Sequence, residues 1–190
     1  MKKTLPIAMS NRHIHLSQKD LDILFGEGYE LTKFKDLSQP GQYACEEKVD
    51  TVGPKGTIKG VRILGPVRGE SQYEVSVSDA FALGVKPVIR NSGDIEDTPG
   101  VKLVGPKGEV ELDKGVIVAA RHIHMHTSDA EEFDVKDKDI VSIKVDGPRG
   151  LTFDNVLVRV SDKFALEMHV DIEEGNASGI KNGDMVELVK

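Results

Sequence analysis

Five of the six histidines fall in two short strings: His13 and His15 within Arg12-His-Ile-His15, and His122, His124 and His126 within Arg121-His-Ile-His-Met-His126. Side chains two apart on a strand leave the same face. Their Cα atoms are then about 6.5–7 Å apart, so both imidazoles reach one metal ion. A single His-x-His is more often a packing or surface feature. Two identical copies in halves that have otherwise diverged are harder to explain by packing, which tolerates apolar exchange. A metal needs a third donor. His169, in Glu167-Met-His-Val-Asp-Ile172, is the natural one for the second pair. In the first half Lys86 stands at the matching place, so that pair needs a carboxylate, and Glu70 and Glu74 are both candidates. His126 is expected to be turned away into solvent by a helix starting at Thr127-Ser128. Three nitrogens, or two and a carboxylate, with an open position fit catalytic zinc; on ligand type alone iron or manganese fit as well.

The arginines raise the question of an anion. Arg12 and Arg121 directly precede the histidine pairs and point to the opposite strand face, where a structural ion pair is their ordinary role. Arg68 lies in the turn Gly65-Pro-Val-Arg-Gly69, where a planar guanidinium can be presented to a phosphate. The Gly-Pro turns at 53–56, 105–108 and 147–150 lack phosphate-loop spacing, and no G-x-S-x-G elbow is present. Cys45 reads as an unreactive thiol.

These side chains need a scaffold. The chain has 190 residues, 38% hydrophobic and 30% charged, enough for one large or two small folded domains. Its net charge of −7 argues against bulk nucleic-acid binding. One cysteine excludes an internal disulfide and multi-cysteine zinc sites. No run is long enough to span a bilayer, and the N-terminal stretch has no convincing cleavage site; the expected location is the cytoplasm. Three landmarks recur in order: Arg-His-Ile-His, a Gly-Pro-basic-Gly turn (53–56, 147–150), and Val77-Ser-Asp-Ala-Phe-Ala-Leu83 against Val160-Ser-Asp-Lys-Phe-Ala-Leu166. They define two related halves, with an insertion placed at 26–47. Short Val/Ile/Leu-rich runs at 4–9, 57–64, 73–77, 102–104, 109–112, 115–120, 140–145, 156–160 and 185–189, divided by Gly-Pro turns, read as strands. Ser17 is expected to cap a helix ending at Gly26, Ser128 to start a second, and Ser78 and Ser161 to cap single turns. The fold class is mainly β: two small β-barrels from an internal duplication, capped by short α-helices.

The strings Ser10-Asn-Arg-His-Ile-His-Leu-Ser17, Val61-Arg-Ile-Leu-Gly-Pro-Val-Arg68, Ser71-Gln-Tyr-Glu74, Ala120-Arg-His-Ile-His-Met125 and His169-Val-Asp-Ile-Glu-Glu-Gly-Asn-Ala177 resemble the PduL-type phosphate acyltransferases, or phosphate propanoyltransferases. The resemblance covers essentially the whole chain. It implies two β-barrels with a di-zinc site at their junction. One zinc is then held by His13, His15 and Glu74, the other by His122, His124 and His169, and Arg68 takes the phosphate. It implies that residues 1–11 join 120–190 in one barrel and that 12–119 form the other. The implied reaction is acyl-CoA + phosphate = acyl phosphate + CoA for a short acyl group, with zinc as Lewis acid and template. Coenzyme A, acyl-CoA, phosphate and acyl phosphate are the expected partners; a homo-oligomer is open, and no nucleic acid or membrane is expected. Relatives in bacterial microcompartments carry an N-terminal targeting helix, and none is expected here. The competing readings are a metal-dependent ester or phosphate hydrolase and a non-catalytic metal-binding β-barrel.

Overall fold

The computed structural model describes residues 3–189. In chain order its elements are β1 (Thr4–Ser10), β2 (His13–His15), α1 (Gln18–Phe25), β3 (Lys33–Asp36), β4 (Tyr43–Val52), β5 (Thr57–Gly65), β6 (Gln72–Glu74), α2 (Val77–Leu83), β7 (Ile89–Arg90), β8 (Lys102–Val104), β9 (Glu109–Glu111), β10 (Val116–Ala119), β11 (His122–Met125), α3 (Thr127–Phe133), β12 (Ile140–Val145), β13 (Leu151–Val160), β14 (Glu167–Asp171), α4 (Ile172–Ser178) and β15 (Asp184–Val189). The protein is mainly β with short helical caps, as expected. It divides into one unit of Met1–Asn11, Ser38–Pro40 and Ala120–Lys190, and another of Arg12–Leu37 and Gly41–Ala119.

The first unit is a closed barrel with strand order β1-β14-β11-β13-β12-β15, in which β15 pairs back onto β1. Alternation along each strand fills it. Leu5 and Ile7 of β1, Ile123 and Met125 of β11, Val156 and Val158 of β13, and Met168 and Val170 of β14 all enter one core. Because the side-chain period is two, His122, His124, Glu167 and His169 must leave the opposite face of the wall.

The second unit is a half-barrel sheet of order β7-β10-β6-β2-β5-β4-β8-β9, with β3 paired to β4. Ile14, Ile63 and Tyr73 are fully buried in its core. The Tyr73 hydroxyl is satisfied by Thr51 Oγ1 at 3.3 Å. The segment 26–47, expected to be an irregular insertion, contains the β3–β4 hairpin; its mostly exposed Lys-Phe-Lys-Asp strand has no apolar periodicity to betray it. The helix ends land on two of the Gly-Pro turns. Leu83 O of α2 accepts from Lys55 N and Leu24 O of α1 from Lys107 N. A Cβ at Gly53 would meet Leu83 O at 2.3 Å, and one at Gly105 would meet Leu24 O at 2.5 Å, so only glycine admits these helix ends.

Two of the expected caps change. Ser17 caps α1 and Gly26 ends it, as expected. Helix α2 is capped by Ser76, with Ser78 inside the helix, because Ser76 and Asp79 close a capping box. Helix α3 is capped by His126 rather than Ser128: its Nδ1 accepts from Ser128 N at 3.2 Å, and its own N–H donates to Asp129 Oδ2 at 3.0 Å. His126 is therefore a half-buried cap and not a solvent side chain. Helix α4, capped by Asp171 with Glu174, was not anticipated. Ser161 makes the expected single turn, its Oγ accepting from Lys163 N at 3.2 Å.

The duplication is present, but its third landmark is misaligned by the sequence match. Val77–Leu83 is helix α2, whereas Val160–Leu166 is the end of β13 and a turn. Strand pairing supplies the true correspondence. β2 pairs antiparallel with β6 and parallel with β5; β11 pairs antiparallel with β14 and parallel with β13. Glu74-Val-Ser76 leading into α2 thus matches His169-Val-Asp171 leading into α4. The matching place for His169 is Glu74, and Lys86 is an exposed residue in the loop after α2.

Candidate metal centre

In the second unit, the β2–β6 ladder sets His13 opposite Glu74 and His15 opposite Gln72. Ile14 and Tyr73 take the core face, so the two imidazoles, the carboxylate and the amide share the other. One donor atom from each of His13, His15 and Glu74 lies within 4.8 Å of the others; among the described residues no other group of three His, Cys, Asp or Glu closes to that range. All three are buried. His13 Nε2 is 3.5 Å from Glu74 Oε2. His15 Nδ1 is buried with no hydrogen-bond partner. Two imidazoles, a carboxylate and an unsatisfied buried nitrogen are the donor set a zinc ion takes. Glu70, the other acidic candidate, lies apart: it is exposed and pairs with Lys114 at 3.2 Å.

Burial, then the neighbouring His13 and Arg68 charges, lowers the His15 pKa from 6.5 to about 3. At neutral pH this ring is unprotonated, and its lone pair is available without proton loss. Burial alone would raise the Glu74 carboxyl, but His13 and then His15 hold it below the ordinary carboxylate range. A stability test follows for metal-free protein. An unfolded His15 binds a proton near pH 6.5 that the folded ring refuses until about pH 3. Its stabilising effect is full above pH 6.5 and is lost as the pH falls through that window, at up to about 1.4 kcal/mol per pH unit. Urea midpoints of chelated protein between pH 7.5 and 4.5 should fall more steeply for the wild type than for His15→Asn. Parallel curves would contradict this.

A network not foreseen from the sequence surrounds this cluster. Gln72 Nε2 donates to Glu74 Oε1 at 2.7 Å and to Ser92 Oγ at 2.9 Å, while Gln72 Oε1 accepts from Gly93 N at 2.7 Å. The Arg68 guanidinium donates to the same Ser92 Oγ at 3.2 Å, and its backbone is tied by Arg68 N to Leu16 O at 2.8 Å. Gln72 thus links the carboxylate of the cluster to the arginine singled out for anion binding. The strand period places Gln72 on the Glu74 face, a signal that could have been read. Ser92 comes from a separate loop and had none.

In the first unit, the β11–β14 ladder sets His122 opposite His169 and His124 opposite Glu167. The ring centroids of His122, His124 and His169 lie 4.7, 5.3 and 5.0 Å apart pairwise, with His122 and His169 stacked. The three expected residues are thus brought together, though more openly than the first set. Phe164 packs on His124 at 4.4 Å. Glu167 Oε2 is 3.2 Å from His169 Nε2 and also accepts from Ser38. Burial raises the Glu167 carboxyl and the His169 and Ser38 hydrogen bonds lower it, leaving it below its ordinary value. Glu167 occupies the ladder position of Gln72, two residues before the third donor in each half, so it too is an orienting neighbour that alternation could have flagged.

Arg12 and Arg121 form the ion pairs assigned to them: Arg12 with Asp79 at 2.7 Å and Arg121 with Glu174 at 2.8 Å. In both halves the acid is the capping-box residue of the helix that follows the third donor. Cys45 is fully buried, and burial pushes its thiol up to about 11, away from nucleophilic use.

Fold and site together define a mainly β protein whose two related units each gather histidines on one strand face, one set completed by a carboxylate linked to an arginine. The phosphate propanoyltransferase family profile matches residues 6–181. A phosphate propanoyltransferase of Thermotoga maritima is 58% identical over 97% of this chain and 88% of its own length. That of Clostridioides difficile is 55% identical over 98% and 89%, and that of Listeria monocytogenes 50% over 97% and 86%. The chain belongs to the phosphate propanoyltransferase family.

Proposed function

We propose that this protein catalyses reversible transfer of a short acyl group between coenzyme A and inorganic phosphate, acyl-CoA + phosphate = acyl phosphate + CoA. The supporting observation is the His13/His15/Glu74 cluster, tied through Gln72 and Ser92 to Arg68, in a chain aligned almost end to end with phosphate propanoyltransferases. We assign one zinc ion to His13, His15 and Glu74 and a second to His122, His124 and His169. Bound there, zinc supplies Lewis acidity toward the thioester and a template for its phosphate partner.

The protein's own groups do the rest. Arg68 receives phosphate through paired N–H donors and orients one oxygen toward the thioester carbon, which makes attack effectively intramolecular. Its charge also stabilises the oxyanion that develops on the thioester carbonyl oxygen as phosphate attacks and that collapses as the thiolate leaves. Gln72 holds Glu74 and Ser92 together, so the metal ligand and the guanidinium keep one geometry. The neutral His15 imidazole needs no deprotonation before it coordinates. Burial of His13, His15, Gln72 and Glu74 limits water, which would otherwise compete for the acyl group. A cytoplasmic setting fits a chain whose single cysteine is a buried thiol.

The test is a thiol-release assay with acetyl- or propanoyl-CoA, with and without phosphate, on metal-replete protein. Release should require phosphate and yield acyl phosphate in equal amount. Release at the same rate without phosphate would replace the transferase with a thioester hydrolase.

A further inference from the structure

Seven arginines occur in the chain. Six of them reach an oxygen acceptor: Arg12 and Asp79, Arg62 and Cys45 O, Arg68 and Ser92, Arg90 and Ile89 O, Arg121 and Glu174, Arg149 and Ala177 O. Arg159 is half-buried on β13, and among the described residues its recorded contact is with a ring: Cζ lies 5.8 Å from the centroid of Phe164. A guanidinium partly withdrawn from water without an anion carries a desolvation cost that an anionic ligand would offset.

Its placement is specific. Arg159 is the register partner of His124 in the parallel β11–β13 ladder, and Glu167 is the partner of His124 on the other side. Val158, Ile123 and Met168 point into the core, so Arg159, His124 and Glu167 project together from the opposite face. Phe164 covers two members of this row, packing on the His124 ring at 4.4 Å and beneath the Arg159 guanidinium. Stacking on an aromatic face fixes the plane of a guanidinium while leaving its N–H edge free to donate. The one carboxylate in the row is already engaged by His169 and Ser38. The row therefore holds an oriented, unneutralised cation beside a histidine assigned to metal.

We propose that Arg159 is a substrate-binding residue that takes a phosphoryl oxyanion beside His124; naming that oxyanion as a substrate group rests on the acyltransferase reading. Two sources share this chemistry: the phosphate that accepts the acyl group, and the phosphates of coenzyme A.

The experiment measures calorimetric affinities of metal-replete wild type, Arg159→Gln and Arg159→Lys for inorganic phosphate and, separately, for coenzyme A, together with KM and kcat for both substrates. Arg159→Gln should weaken one ligand about tenfold or more and flatten the salt dependence of its affinity, with Arg159→Lys between it and wild type. Metal content and melting temperature should stay at wild-type values. A loss confined to phosphate assigns the acceptor, and one confined to coenzyme A assigns the nucleotide phosphates. Affinities and KM values within twofold of wild type in both variants would overturn the proposal while leaving the transferase in place. So would a wild type that binds neither ligand. A wild type without phosphate-dependent turnover, but with Arg159-dependent binding, would uphold the residue and overturn the transferase. If Arg159→Gln lowers the melting temperature, Arg159→Lys alone decides, since it keeps the charge and the stem and loses the fork.

Discussion

Glu74→Gln is expected to leave the protein folded, strip one metal ion per chain, and reduce phosphate-dependent thiol release by about a thousandfold or more. The side chain keeps its size and can still accept the hydrogen bond from Gln72 Nε2. What is lost is the negative charge that completes a set with His13 and His15. Perturbing the partners of metal ligands already costs about 10–100-fold in affinity or activity, and removing a charged ligand should cost more. Elemental analysis after dialysis against a weak chelator, with a melting curve on the same sample, separates the cases. A variant that keeps both metal and turnover would remove Glu74 from the ligand set. One that unfolds with its metal would make the site structural, since metal binding then belongs to folding.

The second large effect is expected at Arg68. Arg68→Ala should raise KM for phosphate, or lower kcat/KM for phosphate when saturation is out of reach, by about a hundredfold, with KM for acyl-CoA changed by less than about threefold. A hundredfold corresponds to about 2.7 kcal/mol, within the range for truncating one member of a charged, hydrogen-bonded pair. Arg68→Lys should recover part of it, because lysine restores charge but not the bidentate fork. Arg68 also contributes to the lowered pKa of His15, as a cause ranked behind burial and His13. Metal affinity at pH 7 should therefore be almost unchanged in Arg68→Ala. Unaltered phosphate kinetics would assign phosphate elsewhere and return Arg68 to a turn residue held by Ser92.

Several features were legible in the residues because they are local. The His-x-His pairs lie on strand faces because the period of two needs only three residues to act. The Ser17 cap and Gly26 stop of α1 are set within one turn at each end. Arg12 and Arg121 could be set apart from the metal chemistry by parity alone. Where local signals competed, the reading slipped. Ser78 and Ser128 are good caps by type, but Ser76–Asp79 and His126–Asp129 form reciprocal pairs and win the helix starts. Strand β14 alternates polar and apolar residues along Glu-Met-His-Val-Asp, but a run of only five residues is too short for that alternation to stand out.

The alignment of the two halves shows the limit more sharply. Val77–Leu83 and Val160–Leu166 share letters but not structure, and following them sends His169 to Lys86. The ladders instead equate His169 with Glu74, Glu167 with Gln72, and the ion pair Arg121–Glu174 with Arg12–Asp79. Composition, parity and spacing by themselves determined a mainly β chain of two related halves, each presenting a pair of imidazoles on one strand face, with Arg68 in a turn. Tertiary structure set Glu74 opposite His13 and Glu70 against Lys114, brought Gln72 and Ser92 to the cluster, and set Arg159 beside His124. The reason is physical. A side chain's face follows from its immediate neighbours along the strand, whereas its cross-strand partner is fixed by hydrogen-bonded register between segments far apart in the chain, where a one-residue slip would turn every donor away.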